Sequence, residues 1–90
     1  MKERAAPERP KKVDGLDVND VDDGLVVYNE SSDRVHYVNH TASVVYELCS
    51  GETSIDEIAA LLQRTWDLDS PPIEETRACV VQLVAEGLVR

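Results

Sequence analysis

The apolar residues of this chain change their period once. Up to Val38 they recur at every second position in short runs, and from Ala42 onward they recur every third or fourth. A period of two marks a strand with one covered face, and a period of 3.6 marks an amphipathic helix. Strands followed by helices, rather than alternating with them, predict an α+β fold. Ninety residues leave room for one such domain.

Leu16 and Val18 alternate with acids, Asp22-Asp23-Gly24 supplies a turn, and Leu25-Val26-Val27-Tyr28 is a short β-rich run. Asn29 to Asp33 is a second turn, and Arg34-Val35-His36-Tyr37-Val38 follows as a third strand. Tight turns between three strands predict an antiparallel meander whose outer strand has an unpaired edge. Asn39 then suits a helix N-cap, Ala42, Val45, Leu48 and Cys49 line one side of the helix, and Gly51 is its expected stop. Ser54 and Glu57 have the spacing of a capping box. The helix they open aligns Ile55, Ile58, Ala59, Leu62 and Trp66 within about 80° on a helical wheel.

Asp67 to Pro72 reads as a linker, since Ser70 precedes Pro71 and is pushed away from helical geometry. A third helix is expected over Ile73–Glu86, with Gly87 as its C′ residue and Leu88-Val89 folding back onto the domain. With Ile73 at zero, Val80 and Val84 lie within about 20°, Val81 near +80° and Leu83 near −80°. That arc is wider than one packing face needs. One flank is therefore expected against the core and the other open, with Arg77 at a rim where its stem is covered and its guanidinium accessible. The order β-β-β-α-α-α with a small sheet is winged helix-turn-helix-like.

Composition narrows the function. Aromatic residues are only 4% of the chain, so the core must be aliphatic. Residues 1–12 carry five basic and two acidic side chains, two prolines and no apolar period, and are expected to form a disordered basic arm, with a single folded domain over 13–90. Since the whole chain is −9, the remainder is −12. A body this acidic repels phosphate backbones, so no nucleic-acid partner is expected. No apolar run suits a membrane span or a secretory signal, so a cytoplasmic protein with no membrane partner is expected. Cys49, Cys79, His36 and His40 lack the spacing of a zinc site, and the cysteines read as small core residues. No metal or cofactor is expected. Neither a nucleophile set nor a paired-carboxylate set stands out, so the chain is not expected to be an enzyme. Asp69-Ser70 superficially suits a carrier-protein attachment serine, but Pro71-Pro72 follows where an apolar residue is usual.

The segment from Val35 to Val89 resembles the PqqD-like family, named for the pyrroloquinoline quinone biosynthesis protein D. The same family is known as the recognition element of ribosomally made, post-translationally modified peptides (RiPPs). The matching marks are Val38-Asn39, Thr41-Ala42, Leu48-Cys49-Ser50-Gly51, Thr53 to Ile58, Leu83 and Gly87-Leu88-Val89, with Asp23 to Tyr28 upstream as the second strand. Val38 departs from the Leu usual in the family.

The resemblance implies a non-catalytic module that captures the leader of a precursor peptide by strand addition to the third strand. It implies as partners that leader peptide and a maturation enzyme, either a leader peptidase, as in lasso-peptide biosynthesis, or a radical SAM enzyme. It places the peptide on Arg34, Val35, His36, Tyr37 and Val38 and against the third helix, where the wide arc singles out Arg77, Val80, Val81 and Val84. His36 and Tyr37 point to opposite faces, and the sequence leaves open which meets the peptide. A winged-helix DNA-binding domain, or another protein-interaction domain, is the alternative reading.

Overall fold

The computed structural model describes residues 6–90. Among them the chain forms β1 (Leu16–Val21), β2 (Gly24–Asn29), β3 (Arg34–Asn39), α1 (His40–Glu47), α2 (Ile55–Thr65) and α3 (Ile73–Ala85). This is the expected α+β order. The sheet is antiparallel in the order β1-β2-β3, with Val18 opposite Val27 and Val27 opposite His36.

The β2–β3 turn is closed locally. Asn29 Oδ1 accepts from the Ser31 N–H at 3.1 Å, and the Tyr28 hydroxyl donates to Asp33 Oδ1 at 2.9 Å. Asp33 has φ +56°, a conformation that a short polar side chain tolerates well. Gly24, opposite Asn39, meets β3 so closely that a Cβ there would collide with the Val38 carbonyl oxygen.

The helices start and stop for identifiable reasons. Asn39 Oδ1 accepts from the Ala42 N–H at 2.9 Å and caps α1. The Ser54–Glu57 capping box forms in both directions, at 2.8 and 3.1 Å. Gly87, at φ +78°, ends α3: its N–H donates to the Val84 carbonyl and that of Leu88 to the Leu83 carbonyl, which is a Schellman motif. Gly51 departs from expectation. Helix α1 ends at Glu47, with Leu48 as its cap. Gly51 instead donates its N–H to the Pro10 carbonyl at 2.9 Å and lies against the Lys11 side chain.

The core is aliphatic, as the composition required. Leu25, Val27 and Val38 from the sheet meet Val45, Cys49, Ile58, Leu62, Val80 and Leu83 from the helices, with Leu88 and Val89 closing the far side. Tyr46 is the one aromatic residue fully within it. Among the described residues, no helix is long and apolar enough to cross a membrane.

The expected disordered arm over 1–12 is corrected at its end; residues 1–5 lie outside the described residues. Pro10 is buried, and Lys11 exchanges two 2.8 Å backbone hydrogen bonds with Arg90. The Lys12 N–H donates to the Cys49 carbonyl, and its Nζ lies 3.1 Å from Glu47 Oε1 and 5.4 Å from the Tyr46 ring centre. The physical reason is the tail. Buried Leu88 and Val89 bring their backbone out of water, and the groups freed there need partners. The packed unit therefore includes residues that composition alone assigns to a tail, because pairing is set by a neighbour distant in sequence.

Candidate functional site

Strand β3 has one edge on β2 and, among the described residues, no strand on the other. In an antiparallel pair the bonded groups alternate, so every second residue of β3 turns its N–H and C=O outward. This edge is a row of unmet backbone donors and acceptors, the kind of surface on which another extended chain can be laid.

The two faces of β3 differ. His36 and Val38 lie opposite buried Val27 and Leu25 and face the helices. His36 Nδ1 is 3.8 Å from Glu86 Oε1 at the end of α3, with 17% of its side chain exposed; the two form an ion pair when the imidazole is protonated. Val35 and Tyr37 face the other way and are 64% and 57% exposed. The Tyr37 hydroxyl donates to the Asp23 carbonyl at 3.2 Å. The His36 side chain looks toward α3, and the Tyr37 side chain lies on the opposite face of the sheet, although Tyr37 still borders the groove beside α3. Tyr37 lies directly opposite Val26, and Tyr28 opposite Val35, so the two tyrosines are diagonal neighbours rather than a direct cross-strand pair.

Beside the open edge runs a groove of about 130 Å³. Its β3 and α1 wall is Tyr37, Val38, Asn39 and Ala42, and its α3 wall is Cys79, Gln82, Leu83 and Glu86. The α3 positions follow the i, i+3, i+4, i+7 spacing of one helical stripe. This stripe is not the one the sequence singled out. Val80 is fully buried and belongs to the core. Val84 is packed against that core, and Val81 is half-buried outside the groove. Arg77 lies on the opposite flank, where it lines a separate hollow with Ala6–Arg9 and the start of α2, and its Nη1 is 3.9 Å from Glu74. The wheel gave the width of the arc correctly. It could not say which flank stays open, because that depends on tertiary packing: Arg77 shares its hollow with Ala6–Arg9, far away in sequence.

Cys79 and Leu83 were visible as apolar positions, and the open flank is theirs. Gln82 and Glu86 carried no apolar signal. Gln82 Nε2 donates to Glu86 Oε2 at 2.8 Å, which fixes the carboxylate at the groove's His36 end. Burial, with the nearby Glu86 carboxylate, pushes the Cys79 thiol above its ordinary pKa. Cys49 is fully buried, donates from its thiol to the Val45 carbonyl at 3.2 Å, and is pushed up to about 12 by burial. Cys49 lies in the core as expected, and Cys79 packs against that core while also lining the groove. Among the described residues no group of three His, Cys, Asp or Glu side chains could hold a metal ion.

The family model described as coenzyme PQQ synthesis protein D (PqqD) matches residues 24–89, more than two thirds of the chain. No curated protein and no solved structure matches it. The matched region begins at β2 and takes in β3, all three helices and the buried tail, so both walls of the groove lie within it.

Proposed function

The chain belongs to the PqqD family, and from that premise we propose that it is a non-catalytic module that captures the leader of a ribosomally made precursor peptide. The leader adds as a fourth strand on β3 and presents the precursor to a maturation enzyme, either a leader peptidase or a radical SAM enzyme. The observation that carries this reading is the open β3 edge lying directly beside the β3–α3 groove.

The energetics require both parts. A backbone hydrogen bond contributes a net ~0.5–1.5 kcal/mol, so four of them give about 2–6 kcal/mol. Ordering the leader costs roughly 1–2 kcal/mol per residue in backbone entropy, which cancels the ladder. Micromolar affinity corresponds to about −8 kcal/mol. Burying two or three leader side chains, at ~1.5–3 kcal/mol each, supplies the difference. The ladder then fixes register, and the groove between Val38 and Leu83 chooses the sequence.

The test is a calorimetric titration with the leader of a short precursor peptide encoded beside this chain. Gln82→Tyr, which fills the groove from an exposed position, should weaken binding at least tenfold, with the far-UV circular dichroism unchanged. Equal affinity for the variant and the parent protein overturns the reading.

A further inference from the structure

The structure carries a second apolar hollow in line with the first. It measures about 230 Å³ and lies where α1, the end of α2 and the first turns of α3 meet. Val45, Leu62, Trp66, Leu68, Pro72 and Cys79 wall it. Cys79 lines both hollows, so they abut along α3. Helix α3 lies with Glu86 beside His36, Cys79 in the groove that Val38 and Asn39 line, and Glu75 and Thr76 at the second hollow. A chain following β3 from Arg34 toward Asn39 therefore arrives at the second hollow when β3 ends. Leu68 is left 39% exposed there, an apolar surface that no described residue covers.

We propose that this hollow is a second subsite, which takes one large apolar side chain of the captured peptide from the stretch preceding the segment paired with β3. The inference rests on the strand-addition reading above. The direction comes from the sheet: it is antiparallel throughout, and antiparallel pairing is the more stable mode. An added antiparallel strand has its N-terminal end where β3 has its C-terminal end, so it is the upstream residues that reach Trp66.

Other occupants fit less well. The described part of the arm is held on the far flank, with Arg77 and Arg90. A second copy would bring another −9 chain toward a hollow that Glu75 lines and whose Leu68 wall has Asp67 and Asp69 as its chain neighbours. Those acids instead favour a peptide with Lys or Arg next to its apolar residue.

The test uses 20-residue peptides selected by display from a random library on the full chain. Trp66 is the only tryptophan, so its emission reports the subsite directly. Selected peptides should shift that emission to the blue. They should also slow alkylation of half-exposed Cys79 by N-ethylmaleimide, with buried Cys49 silent. Leu68→Asp and Thr41→Phe, both at exposed positions, should each weaken binding about tenfold. Removing the peptide's upstream residues should erase the difference between Leu68→Asp and the parent protein. Peptides that lose affinity on Gln82→Tyr but bind both subsite variants as tightly as the parent, with Trp66 emission unmoved, overturn this inference and leave the groove reading standing. Peptides indifferent to Gln82→Tyr as well overturn both.

Discussion

Ser54 and Glu57 show what one pair of side chains does for this fold. Each satisfies a backbone N–H of the other at the start of α2. Hydrogen bonds from Ser54 hold the Glu57 carboxyl below its ordinary pKa. A depressed carboxyl stabilises the fold above its unfolded pKa of about 4.3, and that contribution is lost as pH falls through its lower folded value. Ser54→Ala should cost about 1 kcal/mol in urea unfolding at neutral pH. The difference between variant and parent should shrink once the pH is low enough to protonate Glu57. Gly24→Ala should cost more, about 1–3 kcal/mol, since its Cβ would meet the Val38 carbonyl and push β3 from its place. The same variant should weaken peptide capture, because Val38 also lines the groove. The capping box, the Asn39 cap and the Gly87 stop were legible in the sequence because each is a contact within a few residues. Cys79, Gln82 and Glu86 were not legible as groove residues, because their role depends on which flank of α3 the rest of the chain leaves uncovered.

At the scale of elements, the meander and the three helices could be read from the change of period, and the outer position of β3 from the tight turns. Pairing of Pro10–Lys12 with the end of the chain could not. Its partners Cys49, Gly51 and Arg90 lie dozens of residues away, and Lys11-Lys12 read locally as solvated charge. A chain beginning at Val13 loses four backbone hydrogen bonds compared with one beginning at Ala6: two between Lys11 and Arg90, one from Lys12 to Cys49, and one from Gly51 to Pro10. The shorter chain should be less stable by about 2–6 kcal/mol in urea unfolding. Equal stability would mean that the seam contributes nothing.

At the scale of the molecule, charge decides how a partner approaches. The chain is −9; Glu75 lines the Trp66 hollow, with Asp67 and Asp69 next to its Leu68 in the chain, and Glu86 lines the groove. A cationic leader should bind faster at low ionic strength. Raising salt from about 0.1 M to about 1 M shortens the Debye length from about 10 Å to about 3 Å, and should slow association more than it speeds dissociation. Stopped-flow rates measure this, and an association rate independent of salt would assign capture to apolar contact alone.

The alternation along β3 has a further consequence. Val35 and Tyr37 belong to a bare platform on the side of the sheet away from the helices. A strand laid on β3 would alternate in the same way, hiding every second side chain in the cleft and lining up the others as a new row of that platform. Cargo and carrier would then share one continuous outer wall. An enzyme that docks on this wall would meet a complete landing place only after loading, and would thereby distinguish a charged module from an empty one.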